Sequence, residues 1–159
     1  VSREGSNAKI MKIIPVGLYK QFIYKSVPQI IINTGIIVIL LTFVKLLMPI
    51  INFCDLFIIM FISLLINIIN SELMLLVDFV KPNLNWNSQY EAIKQNNNKL
   101  FQYVFSILML LIFKYFSKIF SNIVLKNFYT IIIVFFIIII IIMNLLIKKY
   151  INNIVKKIN

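Results

Sequence analysis

Four long apolar blocks leave this chain few ways to fold in water. They run about Gln29–Leu47, Phe53–Leu76, Lys99–Phe116 and Phe128–Ile147. A helix needs about 20 residues to cross the roughly 30 Å hydrocarbon layer of a bilayer, and each block comes close to that length. Hydrophobic residues make up 61% of the 159-residue chain and charged residues only 13%. A soluble domain is about half apolar and still needs a polar exterior. The polar side chains here are too few to cover so much Ile, Leu and Phe. The expectation is therefore an all-α, polytopic membrane protein with four transmembrane helices, plus short amphipathic cytoplasmic helices at the N-terminus.

The polar segments divide the chain into residues 1–27, a cytoplasmic amphipathic segment; 28–77, the first two transmembrane helices; 78–98, a cytoplasmic loop; 99–149, the last two transmembrane helices; and 150–159, a basic cytoplasmic tail. In the first segment Ala8, Met11 and Ile14 recur at helical spacing, as do Leu18, Tyr19, Phe22 and Ile23, with a Pro15–Val16–Gly17 turn between the two runs. Such a pair of helices suits a headgroup layer or a docking surface for a cytoplasmic partner. In the loop, Pro82 stops any helix entering from the second span. Ser88 and Glu91 then form a capping-box pattern for a short helix over Gln89–Asn97.

Within the blocks, Pro28 stands near the start of the first span, where a missing N–H costs least. Lys45 stands near its far end, with a stem long enough to snorkel to the headgroups. Lys114 and Lys118 share a face of the third helix, as snorkelling residues or as a basic rim. Asn67, Asn70 and Glu72 make the second half of the second span more polar. A carboxylate at membrane depth usually faces protein or water, yet Glu72 is also close enough to the expected cytoplasmic end to be solvated at the interface. No span reads as having a strongly polar or charged face, so no substrate is legible.

The net charge is +11, from 16 Lys and Arg against 5 Asp and Glu. Beside membrane helices, that excess reads as flanking lysines that meet anionic headgroups rather than as a nucleic-acid surface. With the N-terminus inside, Arg3, Lys9, Lys12, Lys20, Lys25, Lys81, Lys94, Lys99 and the tail lysines all fall on the cytoplasmic side. Lys45, Lys114, Lys118 and Lys126 fall towards the other. The expected location is thus the cell membrane, multi-pass, with both termini cytoplasmic.

Catalytic chemistry has little to work with. The chain has no histidine, so the usual general base near neutral pH is missing. A single cysteine, Cys54, permits neither an internal disulfide nor a cysteine metal site. None of the glycines (Gly5, Gly17, Gly35) is followed by Lys, so no phosphate-cradling loop of the GxxxxGK[ST] type exists. The expectation is a non-enzymatic chain that binds no cofactor or metal.

Two segments resemble a known family. Ser2–Lys20, SREGSNAKIMKIIPVGLYK, is similar to the cytoplasmic S-R-E-G-x-x-A-x-x-x-K-x-x-P-[IV] segment of bacterial type-2 ATP-binding-cassette permeases, with Ser2, Arg3, Glu4, Gly5, Ala8, Lys12 and Pro15 at the matching positions and Met11 between them. Asp78–Asn98 is similar to their D-x-x-x-P-x-L-x-W-x-x-x-x-E-A-x-K-Q-N-x-N segment. There the matching residues are Asp78, Pro82, Leu84, Trp86, Glu91, Ala92, Lys94, Gln95, Asn96 and Asn98.

The resemblance implies the C-terminal portion of a larger permease, powered by a separate ATP-binding-cassette ATPase subunit that holds the ATP. The first segment would be its contact with that subunit. The remaining partners it implies are the rest of the permease or a second permease chain, and the lipid bilayer. Two other readings stay open beside it: a non-transporting membrane interaction or assembly protein, and a membrane-embedded enzyme using Glu72 and Asp78.

Overall fold

The structure is a computed structural model that describes residues 10–82, 98–119 and 125–156. Among the described residues it is all-helical. A short 3₁₀ turn at 10–12 leads into α1 (Leu18–Leu47), α2 (Phe53–Val80), α3 (Asn98–Ile119) and α4 (Leu125–Lys156). Three of these helices, α1, α2 and α4, are long and apolar enough to cross a membrane.

The first helix begins earlier than the apolar pattern indicates. Gly17 is its N-cap, and Gln21 N–H donates to the Gly17 carbonyl at 3.1 Å. Residues 18–27, expected to form an amphipathic helix of their own, are the opening turns of one continuous helix with Pro28 inside it. Pro28 removes one backbone donor and restricts the residue before it. The helix continues because its N-terminal turns are held by packing: Phe22 is fully buried in a cluster with Met11, Phe79, Ile147 and Ile151. The 14–16 bend before Gly17 coincides with the expected Pro15–Val16–Gly17 turn.

The basic tail is also helical further than expected. α4 runs on to Lys156, well past Ile147, because Ile147 and Ile151, four residues apart on one face, are both buried in that cluster. At the end of α2, Lys81 N–H caps the Val77 carbonyl at 3.0 Å, one residue before Pro82.

The α1–α2 hairpin is closed by Lys45. Its ammonium donates to the carbonyls of Pro49 (2.9 Å) and Ile51 (2.6 Å) and lies 4.6 Å from the centre of the Phe53 ring. Lys45, at the end of α1 where a snorkelling residue is expected, ties down the turn. Replacing it with Met should loosen this hairpin by about 1 kcal/mol, the scale of a net hydrogen bond to a charged group plus an exposed cation–π contact. Faster hydrogen exchange of amides 48–52 would report it.

α2 is the central element, packed against each of the other three helices. α1 runs antiparallel to it: Phe22 stacks near Phe79, Gln29 reaches Met74, and Asn33 reaches Asn67. α4 runs parallel to α2, since Asn144 meets Glu72 and Ile147 and Ile151 cluster with Phe79. A second cluster joins Ile62, Leu65 and Ile69 of α2 to Phe128, Ile132 and Phe136 of α4, with Phe105 and Met109 of α3 against it. The outward faces of α1 and α4 are lined with exposed Ile, Leu and Phe, among them Ile32, Leu40, Phe43, Ile138 and Leu145. A monomeric soluble protein rarely exposes a continuous apolar belt of that extent, whereas lipid requires one.

Candidate functional site

Two features of the bundle concentrate its polar chemistry. The first is a polar interior on α2. Asn67, Ser71 and Glu72 are 5%, 0% and 4% exposed. The polar residues expected in the second half of the second span are turned inward, together with Ser71. Asn67 and Ser71, four apart, share one face of α2; Asn67 meets α1, and Ser71 bonds back to Asn67. Glu72 lies about 100° further round the helix and meets α4.

On the α1 side, the Asn67 amide donates to the Ile30 carbonyl (3.0 Å) and to Thr34 Oγ1 (3.1 Å). Its Oδ1 accepts from Asn33 Nδ2 (3.1 Å) and from Ser71 Oγ (3.4 Å). Thr34 Oγ1 in turn donates to the Ile30 carbonyl at 2.7 Å. This cross-helix network is what lets polar groups sit at membrane depth, where no water completes their valences. Asn67→Leu would leave Asn33 and Ser71 without their α2 acceptor. We expect a loss of roughly 1–2 kcal/mol, the upper range for interhelical hydrogen bonds in membranes, measured by denaturant titration of the helical signal in mild detergent. Asn70 Oδ1 is buried with no hydrogen-bond partner among the described residues.

On the α4 side, Asn144 Nδ2 donates to both carboxyl oxygens of Glu72 (3.1 and 3.2 Å) and to the Ile140 carbonyl (3.0 Å). Asn144 Oδ1 accepts from the Tyr19 hydroxyl at 2.8 Å. Three helices are thus joined by one chain of hydrogen bonds, Tyr19 on α1, Asn144 on α4 and Glu72 on α2. The interfacial reading of Glu72 does not hold: its carboxyl is enclosed by protein. Tyr19 and Asn144 carried no functional expectation. The available signal was Asn144 itself, a lone amide in an otherwise unbroken Ile and Leu run.

The second feature is the end of the bundle where α1 begins and α2 and α4 finish. The 10–16 segment folds back onto this end. Gln21 Nε2 donates to the Met11 and Val16 carbonyls (3.1 and 2.6 Å), and Lys25 Nζ donates to Met11 Sδ (2.8 Å) while lying 5.7 Å from the centre of the Phe79 ring. Met11 is 3% exposed. Beside it an open cleft of about 430 Å³ is lined by Met11, Lys12, Ile14, Val16, Leu18 and Asn152. Ile10, Ile13 and Ile14 project outward around it.

No family model, curated protein or solved structure matches this chain.

In the first permease-like segment, Lys12 and Pro15 of the matching positions are exposed at this end, and Met11, which falls between matching positions, is buried. Ser2, Arg3, Glu4, Gly5 and Ala8 lie outside the described residues. Of the second segment, Asp78 is half-buried in the last turns of α2, Pro82 follows that helix, and Asn98 opens α3. Leu84, Trp86, Glu91, Ala92, Lys94, Gln95 and Asn96, with the short helix expected over Gln89–Asn97, lie outside the described residues. The structure brings the two segments together through one contact region: Met11 of the first shares a buried cluster with Phe79, the neighbour of Asp78 in the second. Among the described residues no group of His, Cys, Asp or Glu is arranged to hold a metal ion.

Proposed function

We propose that this chain is part of the membrane-spanning permease of an ATP-driven exporter, moved by a separate ATPase subunit that engages the end of the bundle carrying residues 10–17, 78–82 and 147–156. The observation that carries this reading is the meeting of the two permease-like segments at Met11 and Phe79. A permease must convert motion of a soluble ATPase into motion of its helices. A segment pinned by buried Met11 against α1, α2 and α4, with exposed Lys12, Ile13 and Ile14 on its outer surface, has the form such a coupling element needs.

The bundle has four crossings in this reading. α2 and α4 run in the same direction, so a chain that crosses on both must cross back between them. α3 has 22 residues, about 33 Å of helix, and is the helix available for that return. The lysine distribution puts the coupling end on the cytoplasmic face. The exposed apolar faces of α1 and α4 leave surface for further membrane helices, from the rest of a larger permease or from a second permease chain. The bundle is a conduit rather than an enzyme, with ATP held by its partner.

The test uses the intact permease co-expressed with its ATPase. Changing Arg3, Glu4 and Met11 to Ala is expected to abolish co-purification of the ATPase while the permease remains in the membrane. Normal co-purification would remove the coupling role. A second reading, a non-transporting membrane assembly protein, is favoured by the outward isoleucines of α4, which offer a lipid-facing or helix-docking surface with no pathway along it. Retention of a complex lacking any ATPase would support that reading instead.

A further inference from the structure

We infer that Glu72 is a proton-binding site inside the bundle, and that Asn144 and Tyr19 form a reversible relay that satisfies it in both charge states. The inference rests on the hydrogen-bond geometry and is independent of the transport reading.

In the arrangement observed, both carboxyl oxygens of Glu72 accept from the Asn144 amide, and Asn144 Oδ1 accepts from the Tyr19 hydroxyl. Every bond in this chain runs in one direction, from Tyr19 towards Glu72, which is the arrangement a carboxylate requires because it offers acceptors only. An amide side chain has nearly the same shape either way round. When Glu72 takes up a proton on one oxygen, the Asn144 amide turns end over end. Glu72 O–H then donates to Asn144 Oδ1, Asn144 Nδ2 donates to the Tyr19 oxygen, the Tyr19 hydrogen turns outward, and the amide gives up its 3.0 Å bond to the Ile140 carbonyl, which makes the protonated arrangement the less favoured of the two. Tyr19 is only half-buried, so its hydroxyl can make that turn. No covalent bond changes except the O–H formed on Glu72. The Asn144 amide carries a donor at one end and an acceptor at the other. An apolar residue would offer neither.

The surroundings leave the proton as the ligand. Among the described residues Glu72 has Asn144 as its hydrogen-bonding partner and no ion pair. The charged and titratable groups on the elements around it are engaged or face elsewhere. On α1, Lys25 is held at Met11 and Phe79 and Lys20 is exposed. On α4, Lys148 is exposed. On α3, Tyr103 is exposed. Asp78 lies about a turn and a half further along α2. A carboxyl enclosed in this way, with a neutral donor that can reverse, has a means of changing charge without breaking the bundle. Because the relay joins α1, α2 and α4, its reversal changes which of those helices donates and which accepts.

Infrared difference spectroscopy between alkaline and acid pH, on the full chain in lipid nanodiscs, tests this. The expected result is a carbonyl band of a protonated, enclosed carboxyl that is lost completely in Glu72→Gln. In Tyr19→Phe the band is retained at a displaced frequency, since the second bond of the relay is gone. A Glu72→Gln spectrum superimposable on the wild type would overturn the site. Should Glu72→Gln fail to fold, Tyr19→Phe decides alone: a displaced band supports the relay, and an unmoved band refutes it.

Discussion

Asn144→Leu is expected to destabilise the bundle by about 3 kcal/mol. The substitution keeps the branching and heavy-atom count of the side chain and adds apolar surface, so loss of packing is not what it tests. What it removes is the donor to both oxygens of an enclosed carboxyl. Stripping the partner from a buried charged or polar group costs roughly 1–3 kcal/mol, and more when the group is ionised. The Tyr19 hydroxyl also loses its acceptor. The companion experiment is the double variant Asn144→Leu with Glu72→Leu. Replacing both members of a buried polar pair with apolar residues is often neutral or stabilising, so the double variant should recover most of the loss. Denaturant titration of the two single variants and the double in the same detergent would read this as a coupling energy. Additive losses would mean that Asn144 acts through something other than Glu72.

Phe79→Ala should cost about 3–4 kcal/mol, the usual range for truncating a fully buried aromatic. The residue is 1% exposed, lies 5.4 Å from the Phe22 ring, and anchors the cluster that also holds Met11, Ile147 and Ile151. The consequence is local as well as global. Met11 is the one residue of the 10–16 segment that is buried, so emptying the space beneath it should release that segment from the bundle. Limited proteolysis would then cut near Lys12 in Phe79→Ala at protease levels that leave the wild type intact. If stability falls but the 10–16 segment stays protected, Gln21 and Lys25 hold it without the aromatic floor.

Much of the fold could be read directly from hydropathy, since blocks of nearly unbroken Ile, Leu and Phe have few alternatives to membrane helices. The start of α1 and the end of α4 could not. Residues 18–27 and 148–156 carry lysines and look like flanking segments. They are helical because Phe22, Ile147 and Ile151 bury one face of each against α2, a tertiary effect that no local pattern displays. The polar interior was half legible. Asn67, Asn70 and Glu72 stood out in the second block, but their partners did not, because Asn33, Thr34, Tyr19 and Asn144 lie on other helices and acquire meaning only when the helices are set side by side. Asn144 lies in the block that reads as the plainest of the four. Lys45 is the converse case. Its position fits a snorkelling residue, and what hydropathy could not show is that two turn carbonyls, of Pro49 and Ile51, accept from its ammonium.

The central claim is that residues 10–17 and the ends of α2 and α4 form one cytoplasmic face on which an ATPase acts. Labelling of single cysteines in membranes by a reagent that does not cross lipid tests it most directly, with Cys54 replaced by Ser and cysteines placed at Ile14, at Asn152 and, on the α1–α2 turn, at Ile50. The account predicts that Ile14→Cys and Asn152→Cys react only from the cytoplasmic side, and Ile50→Cys only from the opposite side. Reaction of Ile14→Cys and Asn152→Cys from opposite sides of the membrane, or of both from the outside, would contradict it.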